Sequence, residues 1–176
     1  PRIVAVAILA GGLGLAASVW FNGNPFWRTQ VGERAPHAAT NATAPAPPAG
    51  VTPAGIGDPM PAVALPGLDG DVIDLRTRYA GKRLLINVWA SWCGPCIEEM
   101  PELDRFAASQ GADGVQVIGL ALDTPDGVRD FTAKIPVRYP IVLDMPGPAD
   151  ASVWLGNAKG VLPYTVLVGA DGRIER

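Results

Sequence analysis

The sequence predicts an α/β domain with a mixed sheet, joined through a tether to an apolar N-terminal segment. Two observations carry this reading. Apolar runs of strand length alternate with stretches of helical periodicity between residues 57 and 176. Ahead of them, Ile3–Phe21 holds 19 residues without a charge, and a Pro/Ala-rich stretch follows.

Taken in order, residues 1–21 read as a signal-anchor or transmembrane segment. As a helix the uncharged run would extend about 28 Å, close to the hydrocarbon thickness of a bilayer. Trp20, Phe21, Phe26 and Trp27 stand at its end, where aromatic rings suit a membrane interface. A cleaved signal peptide is the alternative, with Ala16-Ala17-Ser18 as a small-residue site, although the run exceeds the usual ~7–15-residue signal core. Residues 22–56 read as a linker. Ala35–Gly50 contains seven Ala and four Pro, too little bulky apolar surface to offset the entropy of ordering. The chain's single His, His37, lies there and is expected to be solvated.

Residues 57–176 read as one domain. Met60–Leu65 and Asp71–Leu75 alternate about a Gly67-Leu68-Asp69-Gly70 turn, which signals a hairpin. Leu84–Trp89 is a near-continuous apolar run, as expected of a strand covered on both faces. Cys96–Ser109 has helical periodicity, and Val115–Leu122 is a second buried strand. Thr124-Pro125-Asp126 starts a helix that would reach about Lys134 and stop before Pro136. Ile141–Leu143 and Tyr164–Val168 are shorter strands. Asp171-Gly172 turns toward a last strand that the chain cuts off at Arg176.

Composition narrows the function. With 14 basic and 17 acidic residues the net charge is −3, so nothing points to nucleic acid. Two cysteines exclude a disulfide-dense scaffold and a four-Cys zinc finger. Those two stand together, in Trp92-Cys93-Gly94-Pro95-Cys96, between the buried strand and the helix. At this spacing on a first helical turn a disulfide closes with little backbone movement. Cys93 sits at the helix N-terminus, where free N–H groups and the macrodipole favour a thiolate, the attacking species in disulfide exchange. Pro95 suits the first turn because its missing N–H has no helical partner there. Cys93 is therefore expected to be the nucleophile and Cys96 the resolving thiol. Other uses of the pair are less well served. A structural disulfide would close too short a loop to contribute much. A metal site would need further ligands, and covalent haem attachment would need His where Ile97 stands. No metal is expected.

The segment LLINVWASWCGPCIEEMPEL resembles the active-site region of the thioredoxin superfamily. Together with Gly160-Val161-Leu162-Pro163-Tyr164-Thr165 and the N-terminal hairpin, it resembles the membrane-anchored TlpA/ResA-like thiol–disulfide oxidoreductases of bacteria. The resemblance implies a thioredoxin-like fold with an N-terminal β-hairpin, here truncated in its C-terminal strand and helix. It also implies a single-pass inner-membrane protein with its catalytic domain in the periplasm, or a soluble periplasmic protein if the leader is cleaved. No diffusible cofactor is implied beyond the redox-active Cys93–Cys96 disulfide. The implied partners are a disulfide-containing client protein, of the cytochrome c or copper-centre assembly type, and a membrane electron-donor protein. Trp92, Gly94, Pro95, Leu162 and Pro163 would meet the client, with Pro163 in a cis peptide and Leu162 offering backbone groups to an extended strand.

The resemblance has one departure inside the motif. Thioredoxins carry a buried Asp on the strand before it, and Asn87 stands here. Glu99 is the candidate to take over proton handling. With Cys96 at zero on a helical wheel, Met100, Leu103, Phe106 and Ala107 fall within about 80° of it, and Glu99 at about 300° lies inside this apolar stripe. Glu98 and Glu102 fall toward the polar side. Ionising a carboxyl on a buried face is costly, so Glu99 could exchange protons with the cysteine pair near neutral pH. A thiol peroxidase of the peroxiredoxin type is an alternative on the same fold, but it would carry Thr near a single Cys rather than Ser91 and a pair. A copper metallochaperone is another, although related carriers add a His and a longer Cys spacing.

Overall fold

A computed structural model describes residues 46–111 and 113–176. The expected membrane segment and residues 22–45 of the linker lie outside the described residues. In chain order the elements are β1 (Ala64–Pro66), β2 (Val72–Asp74), α1 (Leu75–Arg78), β3 (Leu84–Trp89), α2 (Gly94–Ser109), β4 (Gln116–Leu122), α3 (Pro125–Thr132), β5 (Ile141–Asp144), α4 (Ala151–Trp154) and β6 (Tyr164–Val168). Among the described residues no helix is long and apolar enough to cross a membrane.

The expected mixed sheet is present, in the order β5-β4-β3-β6. β3 is its centre, parallel to β4 from Leu84↔Gln116 to Trp89↔Ala121 and antiparallel to β6 from Leu84↔Val168 to Val88↔Tyr164. β5 continues the parallel half beside β4. The period-two alternation of β3 and β4 divides the core. Ile86, Val88, Ile118, Leu120 and Val166 face one layer with Leu65, Leu75 and Leu155. Trp89, Val117 and Ala121 face the other with Cys96 and Met100 of α2 and Val128 of α3.

The hairpin is shorter than the sequence predicts. β1 and β2 pair over three residues only, from Ala64↔Asp74 to Pro66↔Val72, and Gly70 turns between them at φ +88°. The second strand gives way to α1 because the Asp74 carboxylate caps it, accepting the Arg76 and Thr77 N–H groups at 2.9 and 3.2 Å. Neither α1 nor α4 is foreseen by periodicity, since each is a single capped turn too short to show one. α3 starts where predicted: Thr124 is its N-cap and Pro125 its first residue.

The last residues extend the sheet. Ile174 bridges Val168 antiparallel, and on its other side it exchanges backbone hydrogen bonds with Gly57 and Asp58 at 2.8 and 2.9 Å. Residues 46–56, read from sequence as linker, are described with the unit Pro45–Arg176. Within them the Ala54 N–H donates to the Trp154 carbonyl at 3.0 Å.

Gly119, in the middle of β4, is required by close approach rather than by a turn. A Cβ there would lie 3.0 Å from Trp89 Nε1 and 3.1 Å from Tyr139 Cε2. Gly119→Ala is therefore expected to destabilise the domain by about 1–3 kcal/mol through overpacking, read as a lower urea midpoint with an unchanged slope.

Candidate active site

The site forms where β3 stops. Cys93 is the N-cap of α2, with φ −88° and ψ 98°, and its Sγ accepts the Cys96 N–H at 3.3 Å. Gly94 and Pro95 fill the first two helical positions, where Pro costs no intrahelical bond. Cys93 and Cys96 are joined as a disulfide, with their Cα atoms 5.3 Å apart. Cys93 retains 6% exposure and Cys96 none, so only the first sulfur borders solvent. Trp92 stands beside it, 66% exposed. Leu162, before Pro163, packs against the core layer that contains both cysteines. The Leu162–Pro163 peptide is cis. The fold thus brings the cysteine pair and the Leu162-Pro163 turn to one end of the sheet.

Glu99 lies one turn beyond Cys96 and is half-buried, less enclosed than its place on the wheel suggests. Its Oε1 accepts the Asn87 Nδ2 hydrogen at 2.7 Å. Asn87 is fully buried, and its own Oδ1 makes no hydrogen bond. The Asn87 amide on β3 is therefore linked directly to the Glu99 carboxylate on α2. Phe106, expected in the apolar stripe, is 38% exposed. It lies at the edge of that stripe, and α2 presses on the sheet mainly through Cys96 and Met100. Pro101, inside α2, removes an N–H that would otherwise bond the Ile97 carbonyl.

Several residues for which the sequence suggested no role at the site lie at this end of the sheet or beneath α2. The Asp123 Oδ2 accepts both the Ser91 N–H at 3.1 Å and the Ser91 hydroxyl at 2.5 Å, and its Oδ1 accepts the Thr124 N–H at 2.7 Å. The parallel register explains the meeting: Trp89 faces Ala121, so residues just past the two strand ends come together. Burial raises the Asp123 carboxyl, but the hydrogen bonds from Ser91 and Thr124 outweigh it and hold the group below its ordinary value. Tyr139 is buried beneath α2, and burial, then the charges of Asp104 and Glu99, raise its phenol. Asp104 itself accepts the Arg138 N–H, Nε and Nη2 at 2.7, 3.0 and 2.7 Å, and these bonds lower its carboxyl. They tie the middle of α2 to the strand approach at Pro140.

The sequence profile of the Redoxin family matches residues 56–176. The chain belongs to the Redoxin family. Among curated proteins it is similar to the thiol–disulfide oxidoreductase ResA of Bacillus thuringiensis, at 30% identity over 122 residues. That match covers 68% of this chain and 66% of the relative, just under two thirds of the relative's length. Among solved structures, a thioredoxin-related protein from Neisseria meningitidis serogroup B is 34% identical with a TM-score of 0.56, over 62% of this chain and 83% of that one. A thiol–disulfide oxidoreductase from Bacteroides fragilis is 26% identical with a TM-score of 0.59, over 68% and 88%. The thioredoxin-like fold read from the motif is therefore the fold of this Redoxin domain, of the ResA-like kind.

Asp123 gives a testable consequence. Its folded carboxyl titrates below the unfolded one, so its stabilisation is full above the ordinary carboxylate value and fades as pH falls through the folded value. Asp123→Asn is expected to cost about 1 kcal/mol near pH 7, and the deficit should shrink below about pH 4. Urea midpoints of parent and variant at the two pH values check this.

Proposed function

We propose that this Redoxin domain is a membrane-tethered protein-disulfide reductase that faces the bacterial periplasm. The observation that carries the activity is the Cys93–Cys96 pair, closed at a capped helix N-terminus with only Cys93 at the surface. The similarity to proteins named thiol–disulfide oxidoreductases supports it. The uncharged run Ile3–Phe21 supports the tether.

In the proposed reaction the reduced Cys93 thiolate attacks one sulfur of a client disulfide. That bond breaks, the departing client thiolate takes a proton, and a mixed disulfide forms. Cys96 then gives up its proton and attacks Cys93 Sγ. The Cys93–Cys96 disulfide closes, and the second client thiolate leaves and is protonated. Two electrons have passed to the client, and a membrane electron-donor protein restores the dithiol. The periplasm is held oxidising, so a reductase there needs such a dedicated supply. Disulfides of cytochrome c or copper-centre assembly proteins are the proposed clients. Glu99 is the proposed acceptor of the Cys96 proton, since residues three apart share a helix face. Trp92, Gly94, Pro95, Leu162 and Pro163 are the proposed client-facing surface.

Cys96→Ala is expected to trap clients as mixed disulfides on Cys93, recovered with the membrane fraction of intact cells and released by reductant. Absence of any Cys93-linked partner, or recovery of the chain free in the cytoplasm with its thiols reduced, would sink the reading.

Glu99→Gln tests the proton step. It is expected to slow exchange and alter its pH profile between about pH 5 and about pH 9, a range that brackets ordinary thiol titration. Glu98→Gln, on the exposed side of α2, is expected to leave that profile unchanged. Superimposable profiles for Glu99→Gln and the parent would remove Glu99 from the mechanism.

A further inference from the structure

A buried polar chain runs from α4 to the turn before Pro163, and the exchange reaction uses none of it. Asp150 caps α4: its Oδ1 accepts the Ser152 and Val153 N–H groups at 2.9 and 3.3 Å and the Ser152 hydroxyl at 2.7 Å. The Ser152 Oγ in turn accepts from Asn157 Nδ2 at 3.2 Å. Asn157 then grips Val161 at two points. Its Nδ2 donates to the Val161 carbonyl at 3.0 Å, and its Oδ1 accepts the Val161 N–H at 3.1 Å. Ser152 is fully buried, and Asn157 is 3% exposed.

The chemistry of this grip is specific. A primary amide carries two N–H donors and a carbonyl acceptor, so it can pair with both backbone groups of one residue as a neighbouring strand would. Here both donors and the acceptor are engaged, as a buried amide requires. Gly160 closes the intervening turn at φ +61°, with its N–H donating to the Asn157 carbonyl at 3.0 Å. Both backbone groups of Val161 are therefore already hydrogen-bonded to Asn157. Those of Leu162, the next residue, are not: among the described residues no hydrogen bond engages its N–H or carbonyl. Its side chain is packed inward, against the layer that holds Cys93 and Cys96.

We propose that Asn157 is a positioning residue for client binding. By occupying Val161 it fixes the turn and its register, so that an extended peptide reaching Cys93 pairs with the Leu162 backbone and not with Val161. The assignment rests on the disulfide-exchange reading above. It separates client binding from cysteine chemistry, since Asn157 touches neither sulfur.

The test is single-turnover oxidation of the reduced full chain by two probes. One is a synthetic peptide with an intramolecular disulfide, and the other is bis(2-hydroxyethyl) disulfide, which is too small to pair as a strand. Asn157→Ala is expected to raise the half-saturating peptide concentration about tenfold, with the maximal rate and the small-disulfide rate within about twofold of the parent. Ser152→Ala keeps both Asn157–Val161 bonds. It is expected to lower stability while leaving half-saturation within about twofold. If Asn157→Ala does not fold, Asn157→Ser serves, because it is neutral and keeps one hydroxyl in the turn while losing the two-point grip on Val161. A smaller rise in half-saturation is then expected. Unchanged half-saturation in the folded Asn157 variant would overturn the proposal. So would equal slowing of both probes, or an equal effect of Ser152→Ala. A parent chain that reduces neither probe would instead remove the exchange reaction, and the inference with it.

Discussion

The site depends on one constraint: β3 is paired on both sides, and its two neighbours run in opposite directions. β4 is parallel to it, so the C-terminal end of β4 lies beside the C-terminal end of β3. β6 is antiparallel, so the N-terminal end of β6 lies there as well. Three separate pieces of chain therefore arrive at one edge of the sheet. They are the Ser91–Cys96 turn, Asp123 and the Leu162-Pro163 turn. Each is set in place by the backbone pairing of the strand end that it adjoins.

Beneath α2 the chain buries polar atoms that lack a hydrogen-bond partner. Asn87 Oδ1, Trp89 Nε1 and the Tyr139 hydroxyl are buried without a hydrogen-bond partner on the side of the sheet that α2 covers. Each such group costs free energy that a purely structural core would not retain. The opposite layer is built on Ile86, Val88, Leu120 and Val166. The buried polar groups near α4 differ again. Asp150, Ser152 and Asn157 are engaged, and they tie a capped turn to the segment ahead of Pro163. Behind the Pro163 turn the pairing is not complete either, since Lys159 Nζ, between Asn157 and Gly160, is buried without a hydrogen-bond partner.

Much of this was legible in the chain. Leu84–Trp89 and Val115–Leu122 read as buried strands because both faces of β3 and β4 are covered, which removes polar alternation. The cysteine spacing placed the disulfide on a first helical turn, where it is found. Glu99 read as inward-facing, and it does turn toward the sheet, but to meet Asn87 rather than to be sealed among apolar groups. The hairpin strands were overextended because alternation continues into Leu75, whereas the Asp74 cap diverts the backbone into α1. α1 and α4 were illegible because a single turn has no period to detect. Ser91 lay inside the active-site motif without a partner to be read from it, and Asp123 and Asn157 carried no motif. A serine after a strand, an aspartate before a helix and an asparagine in a turn are ordinary choices at such places.

By itself the sequence determined the α/β class, the order of the main strands along the chain and the place of the cysteine pair on a first helical turn, because these follow from periodicity and from spacing along one segment. Only the tertiary structure decided which distant groups come together at that end of the sheet. Asp123 reaches Ser91 through the parallel register of β3 and β4, Asn87 reaches Glu99 across the packing of α2 on the sheet, and Asn157 reaches Val161 around a turn closed at Gly160. Each contact is set by how elements pair in space, and the residue types on either side of it fit many other pairings equally well.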